Sequence, residues 1–137
     1  MGEKIKVLVV EDDHDSRVFI REWIKVFGHD IDLILSTDVQ NSNLEEFRKP
    51  LNVDVVALDF QLIGITGMQI LYVLREPGNP NHDVPVIFVP GDRGKLGEDR
   101  DWLFWEMNVI GIFQKPFVMN TVIGRIRDWA RSRKPQS

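Results

Sequence analysis

Five short apolar runs rich in β-branched residues recur along the chain and alternate with amphipathic stretches. The predicted strands are Ile5–Val10, Ile31–Leu35, Val53–Leu58, Val84–Val89 and Val109–Phe113. The predicted helices cover residues 15–27, 40–48, a segment that opens at Thr66, 98–107 and 118–133. Strands that are apolar almost throughout are typical of a parallel sheet buried on both faces. Because crossovers are right-handed, the pattern predicts a doubly wound α/β fold, (βα)5.

Local signals mark several helix boundaries. Gly28 is a good stop for the first helix, and Thr66 with Gln69 matches the capping-box pattern. The apolar face of the first helix is predicted to carry Phe19, Ile20, Trp23, Ile24 and Phe27. The helix after Thr66 is expected to point Met68, Leu71 and Leu74 inward, and a loop follows at Pro77, Gly78 and Pro80.

Composition excludes several classes of protein. The chain has 137 residues, no cysteine and a net charge of −4. A single domain over residues 1–137 is expected, with its core at about 4–133 and a basic tail at 131–137. The lack of cysteine rules out disulfides, a thiol nucleophile and thiolate zinc sites. The mild acidity argues against nucleic-acid binding, and no apolar run suits a membrane span or signal peptide, so a cytoplasmic location is expected.

Charged residues follow four of the predicted strands. They occur in the segments Glu11-Asp12-Asp13, Asp59, Pro90-Gly91-Asp92 and Lys115-Pro116. Ligands of open α/β sheets bind at the carboxyl ends of the strands, so these segments are predicted to converge. Clustered carboxylates suit Mg²⁺, and a lysine with loop N–H groups suits a phosphoryl group. Each segment alone is explained as a cap or a turn, but together they indicate phosphoryl transfer to a carboxylate.

These segments resemble the receiver domain of bacterial two-component response regulators. The resemblance extends from Lys4 to about Arg133. It is carried by the following segments: the acidic strand end Val7–Arg17, the phosphoacceptor strand Val53–Asp59, the Gly-x-x-Gly at 64–67, the fourth strand Val84–Val89 and the lysine motif Phe113–Phe117. It implies a flavodoxin-like sheet with strand order 2-1-3-4-5.

The resemblance also implies a mechanism. Asp59 would accept a phosphoryl group from a histidine kinase or a phosphotransfer protein, and only slow acyl-phosphate hydrolysis would follow, so the domain is not expected to be an enzyme. The implied ligands of Mg²⁺ or Mn²⁺ are Glu11, Asp12, Asp59 and the backbone carbonyl of Gln61, with Asp13 peripheral. The implied phosphoryl contacts are Lys115 and the backbone N–H groups of Phe60 and Gly91. A cis Lys115–Pro116 bond is expected.

Two positions depart from the pattern of this family. Pro90 stands where the family carries Ser or Thr, and Ile112 stands where it carries a switch aromatic. We expect Asp59 to be phosphorylated. The 98–130 face would bind a downstream protein, an output domain or a second copy, and we expect the relay of the signal to this face to be altered. Gln61 and Asp92 occupy positions that tune hydrolysis in the family.

Other interpretations stay open. The departures at Pro90 and Ile112 are compatible with a phosphorylation-independent pseudo-receiver that acts as an interaction module. An Asp-x-Asp pattern at Asp13 and Asp15 suits a haloacid-dehalogenase-type hydrolase, although Asp15 is better explained as a helix N-cap. Trp102 and Trp105 suit either the core or a partner surface. The bases between Arg125 and Lys134 are expected to complement the helix end and to be solvated.

Overall fold

A computed structural model describes residues 4–11, 13–36, 44–59, 66–89, 106–112 and 119–133. The strands are β1 (Ile5–Val10), β2 (Ile31–Ser36), β3 (Val55–Asp59), β4 (Val86–Val89) and β5 (Val109–Ile112). The α-helices are α1 (His14–Phe27), α2 (Gly67–Leu74) and α3 (Met119–Arg133), and a 3₁₀ helix spans Leu44–Arg48. Among the described helices, none is long and apolar enough to cross a membrane.

The five strands form one parallel sheet in the order β2-β1-β3-β4-β5. This confirms the predicted fold class and the strand order. The reversal of direction in the order lies between β1 and β3, where ligands of such sheets bind. The carboxyl ends of β1 and β3 therefore define the place at which a site is expected.

Both faces of the sheet are buried, as the apolar strands predict. On one face Leu8, Val10, Val56, Leu58 and Phe88 pack under α2 and the 3₁₀ helix. On the other face Val7, Val55, Ala57 and Ile87 pack with residues of α1 and α3, namely Ile24, Val122, Ile123 and Ile126. Alternate residues of each central strand thus serve opposite halves of the core.

The N-cap of α1 is Asp13 rather than Asp15. The Asp13 Oδ2 atom accepts a hydrogen bond of 2.9 Å from the N–H of Ser16. Asp15 lies in the first turn instead, where its carboxylate interacts favourably with the positive end of the helix dipole. Both acids suit a helix start, and the N-cap lies two residues earlier than predicted.

The capping box at the start of α2 is confirmed. The N–H of Gln69 donates to the Thr66 hydroxyl over 3.1 Å, and the N–H of Thr66 donates to the Gln69 side chain over 2.8 Å. Leu71 and Leu74 are buried as predicted, and Met68 packs at the margin of the core. Two reciprocal bonds satisfy N–H groups that the first turn leaves without helical partners.

The predicted apolar face of α1 is partly wrong. Ile24 is buried and Ile20 and Trp23 pack against the core, but Phe19 and Phe27 are each 56% exposed. These two phenylalanines lie outside the arc of the helix that contacts the sheet, although Phe27 packs on the Trp23 ring at 5.0 Å between centroids. Gly28 ends the helix as expected, and its N–H donates to the Ile24 carbonyl.

Several element boundaries differ from the prediction. The polar segment 40–48 forms a 3₁₀ helix over its described part, Leu44–Arg48. β3 begins at Val55, after Asn52 with its left-handed φ of 56° and Asp54, whose side chain accepts a hydrogen bond from the N–H of Lys6. β4 begins at Val86 because the N–H of Val84 closes a turn onto Asn81. Of the predicted helix 98–107, residues 98–105 lie outside the described residues, and Glu106 is helical.

Candidate functional site

Two acidic residues occupy neighbouring positions at the carboxyl edge of the sheet. Val10 of β1 pairs with Leu58 of β3 in parallel register, so the next residues along each strand, Glu11 and Asp59, come side by side. Adjacent strands of a sheet lie about 4.8 Å apart. The register thus puts the positions of Glu11 and Asp59 side by side at one edge, at the point where the strand order reverses.

Glu11 is a buried acidic residue, with only 3% of its surface exposed. Its backbone carbonyl accepts a hydrogen bond of 3.2 Å from Arg17 Nη1 of α1, which fixes the turn between β1 and the helix. Burial of a carboxylate is costly unless a cation or hydrogen-bond donors compensate it. Glu11 is therefore an acid held in a buried position at this edge of the sheet.

The oxygen chemistry of this edge fits a hard divalent cation. Glu11 supplies a buried carboxylate, and Asp59 ends the neighbouring strand. Within the described ranges no group of three acidic or histidine residues is gathered for a metal. Asp12 and Gln61, which complete the predicted ligand set, lie outside the described residues. Carboxylate and carbonyl oxygens are the ligands that Mg²⁺ and Mn²⁺ accept.

Most other predicted site residues also fall outside the described part of the chain. These are Phe60, Pro90, Gly91, Asp92, Lys115 and Pro116, together with the expected cis bond at Lys115–Pro116, and Trp102 and Trp105. Asp59 and Ile112 are described as the last residues of β3 and β5. Asp59 pairs with Val89, the residue before Pro90, so the third and fourth strands end at the same level.

Asp13 acts as a helix cap, and this explains its position without the hydrolase interpretation. Its side chain caps α1 through the N–H of Ser16, and its backbone carbonyl accepts from the N–H of Arg17 over 3.0 Å. The side chain is exposed at the helix start, whereas Glu11 is buried at the sheet edge. The geometry therefore favours Glu11 over Asp13 as a component of the site.

The opposite end of the sheet carries a polar network that sequence reasoning missed. Two buried side chains, Asn79 and Asn81, both donate to the Phe47 carbonyl, over 2.9 and 3.1 Å. Asn81 also donates to the Lys49 carbonyl over 2.8 Å and accepts from the N–H of Leu51 over 2.9 Å. Every fully buried side-chain nitrogen or oxygen among the described residues has a partner. The pattern Gly-Asn-Pro-Asn after α2 reads as a loop, and nothing local signals these contacts.

Charged pairs brace the same end of the molecule. Arg127 of α3 holds both oxygens of Asp30 at 2.7 Å, and its hydrogen bonds keep the pKa of Asp30 below the ordinary value for aspartate. Arg48 holds Glu76 at 2.9 and 3.0 Å and likewise lowers the pKa of that carboxyl. The bases of the last helix are therefore not only solvated, because Arg127 joins α3 to the residue before β2.

The comparison with known families decides what this fold is. The family model described as the response regulator receiver domain matches residues 7–127. The chain belongs to this family. The match spans β1 to most of α3 and includes the edge at which Glu11 and Asp59 meet. Of the curated proteins compared with the sequence, none matches it significantly.

Solved receiver domains share the fold over nearly the whole chain. The receiver domain of a Francisella response regulator is 24% identical with a TM-score of 0.75, and the match covers 96% of this chain and 100% of that one. The non-phosphorylated HemR receiver domain from Leptospira biflexa is 21% identical with a TM-score of 0.74, covering 98% and 100%. The receiver domain of a Pseudomonas aeruginosa sensor histidine kinase, solved with magnesium in its active-site cleft, is 19% identical with a TM-score of 0.68, covering 92% and 97%.

Proposed function

We propose that this receiver domain accepts a phosphoryl group on Asp59 from a histidine kinase or a phosphotransfer protein, in a reaction that depends on Mg²⁺ or Mn²⁺. The observation that carries the proposal is the register of β1 and β3. It puts the buried Glu11 beside Asp59 at the edge where such sheets bind ligands. The magnesium ion in the cleft of the Pseudomonas receiver domain supports the same assignment.

The chemistry follows from the residues assigned to the edge. A carboxylate oxygen of Asp59 attacks phosphorus, the P–N bond of the donor phosphohistidine breaks, and the histidine nitrogen leaves with the electron pair. A divalent cation supplies positive charge against the phosphoryl oxygens when it is bound. Glu11, Asp12 and the Gln61 carbonyl would hold the cation.

The remaining contacts orient the phosphoryl group and limit the reaction. Lys115 would contact a phosphoryl oxygen, and the N–H groups of Phe60 and Gly91 would donate to the others. Water attacks the resulting acyl phosphate slowly, so the domain carries a signal and does not turn over a substrate. Gln61 and Asp92 stand where they set the rate of that hydrolysis.

The signal would leave through the 98–130 face, by a shift between two conformations. That face is proposed to bind a downstream protein, an output domain or a second copy of the chain, in the cytoplasm where the kinase acts. β5 contributes Ile112 to it in place of an aromatic residue, and Pro90 offers no hydroxyl to follow the phosphoryl group. We therefore expect a response of smaller size than an intact aromatic switch gives.

The test is labelling by a small acyl-phosphate donor with Mg²⁺, followed by intact-protein mass spectrometry. Wild type should gain one phosphoryl group, and removal of the cation by a chelator or the substitution Asp59→Asn should abolish the gain. Asp13→Asn is the matched control, because asparagine also caps a helix and the label should persist. Label that survives Asp59→Asn and is lost in Asp13→Asn would instead support the hydrolase interpretation.

A phosphorylation-independent interaction module is the second candidate function, and the non-aromatic Ile112 at the end of β5 favours it. It predicts no label from any donor or kinase, and a partner affinity that Asp59→Asn leaves unchanged. A structural response of the 98–115 face to beryllofluoride, a phosphoryl mimic, would contradict it.

A further inference from the structure

The edge strand β5 is joined to the sheet through an irregular ladder. Val86 pairs with Val109, but the next residue, Ile87, pairs with Gly111. Ile110 is thus the extra residue of a β-bulge, a feature that bends a strand and interrupts its ladder. Over the described residues β5 has four residues and pairs with β4 alone among the described strands. Other contacts must therefore hold it in place.

One such contact is Arg75, at the C-cap of α2. Its guanidinium Nε donates to the Met107 carbonyl over 2.8 Å, and Nη2 donates to the Asn108 carbonyl over 3.5 Å. Its other hydrogen bonds go to the carbonyls of Asn81, at 3.3 Å, of His82, at 3.0 Å, and of Val84. Burial lowers the pKa of Arg75 to about 10. One cation thus binds the loop before β4 and the residues that enter β5.

A second arginine holds the bulge itself. Arg125 Nε of α3 donates to the Ile110 carbonyl over 2.6 Å, where the ladder to β4 is interrupted. A backbone carbonyl at a bulge needs such a donor. Arg75 and Arg125 approach β5 from α2 and α3, which cover opposite faces of the sheet. We call these two residues the arginine clamp.

The acceptors of the arginine clamp are all backbone carbonyls. A carboxylate would hold an arginine in a strong, charge-paired contact, whereas a neutral carbonyl can be exchanged for water at a partly exposed position. Asn108, between the two anchors, has a left-handed φ of 52°, and its side chain donates to the Asp83 carbonyl over 3.0 Å. The entry to β5 is therefore held by several separable side-chain hydrogen bonds in addition to one backbone bond, from the N–H of Val86 to the Asn108 carbonyl over 3.1 Å.

We propose that the arginine clamp stabilises the resting position of β5, and that its bonds to Met107, Asn108 and Ile110 break when β5 shifts in the phosphorylated state. The proposal rests on the proposed function, since it assumes the two conformations of the 98–130 face. Arg75 and Arg125 act as positioning residues, because neither lies at the carboxyl edge where Asp59 is found. Loss of the clamp lowers the cost of moving β5 and favours the phosphorylated conformation.

The experiment compares wild type with Arg75→Lys and Arg125→Lys. Each variant keeps its charge but loses the planar fork that reaches these carbonyls. Arg48→Lys and Arg127→Lys are the matched controls. Arg48 pairs with Glu76 just after α2, and Arg127 lies two residues after Arg125 on α3 and pairs with Asp30. Among the described residues, neither control arginine donates a hydrogen bond to β5. Beryllofluoride with Mg²⁺ is titrated into each protein, and the backbone amide resonances of Asn108–Gly111 are followed.

Both clamp variants should bind beryllofluoride more tightly than wild type, by about threefold or more. Without the ligand, their Asn108–Gly111 resonances should move along the line that joins free and bound wild type. Both controls should keep wild-type affinity and free-state resonances. If neither lysine variant folds, the Nε–H resonances of Arg75 and Arg125 are followed in wild type instead. Their exchange with water should quicken when beryllofluoride binds, and unchanged exchange would overturn the arginine clamp.

The failures of the two proposals are distinguishable. If wild type binds beryllofluoride but the clamp variants bind it no more tightly than the controls, the arginine clamp alone is overturned. Resonances of the clamp variants that leave the line joining free and bound wild type also overturn it, because they report local damage rather than a shift of population. Wild type that does not respond to beryllofluoride overturns the proposed function and the clamp with it.

Discussion

The two ends of the sheet use polar residues in opposite ways. At the carboxyl end, Glu11 is buried beside the position of Asp59, so acids are gathered where like charges repel. At the amino end, Asn79 and Asn81 are buried as neutral amides, each bonded to backbone groups. We propose that one end holds a cation, whereas the other end joins the connections between elements through hydrogen bonds. The comparison predicts that substitutions at the two ends affect different measurements.

The largest expected effect is on stability, from Asn81→Ala at the amino end. The substitution removes three hydrogen bonds. It takes the Asn81 partner from the part-buried Lys49 carbonyl and Leu51 N–H, while the buried Phe47 carbonyl keeps only the bond from Asn79. The free energy of unfolding should fall by about 2–4 kcal/mol, as loss of several buried partners predicts. Urea unfolding followed by circular dichroism measures it, and labelling of Asp59 by an acyl-phosphate donor should persist below the transition.

A matched variant separates the amide hydrogens from the side chain as a whole. Asn81→Asp keeps the acceptor for Leu51 and removes both donated bonds. Its loss of stability should persist, because a buried carboxylate then faces two carbonyls. If Asn81→Ala unfolds at the same urea concentration as wild type, the amino-end network does not fasten the fold and the comparison of the two ends is wrong.

The next effect is on chemistry, from Glu11→Gln at the carboxyl end. Glutamine keeps the size of the buried side chain and removes its negative charge, so the proposed cation site loses a charged ligand. The labelling rate at limiting Mg²⁺ should fall by about tenfold or more. The free energy of unfolding without Mg²⁺ should change far less than in Asn81→Ala. Asp13→Asn serves as the control next to it, and equal labelling of Glu11→Gln and wild type would remove Glu11 from the site.

The strands and one helix start could be predicted from sequence because their causes are local. Burial on both faces makes each strand a short apolar run, and the capping box between Thr66 and Gln69 lies within four consecutive residues. The convergence of Glu11 and Asp59 also follows, since parallel strands end at the same edge. These features need no knowledge of which distant residues meet.

The contacts of Asn79, Asn81 and Arg75 could not be predicted, because the atoms that they donate to are backbone carbonyls. Arg75 binds carbonyls up to 33 residues away, and any residue type at positions 82, 84 or 107 offers the same acceptor. The bulge at Ile110 and the exposure of Phe19 also depend on how elements pack. Asp13 and Asp15 both suit an N-cap, so the backbone conformation decides between them.

The smallest expected effect on stability comes from an ion pair at the amino end, and it tests whether this pair stabilises the fold as the buried amides do. Arg127 holds both oxygens of Asp30, yet their side chains are 29% and 36% exposed. Arg127→Met should therefore lower the free energy of unfolding at pH 7 by about 1 kcal/mol or less. The pKa of Asp30 is lower in the folded than in the unfolded state, so the pair stabilises the fold above the unfolded pKa. That contribution is lost as the pH falls through the folded pKa. The difference in unfolding free energy between wild type and Arg127→Met should accordingly shrink in acid, whereas the destabilisation by Asn81→Ala should stay the same.

Arg131→Met, which breaks a 3.6 Å exposed pair with Asp128, is the control and should change little at either pH. A cost of Arg127→Met that stays the same in acid would show that its packing, rather than its charge, fastens α3 to the amino end.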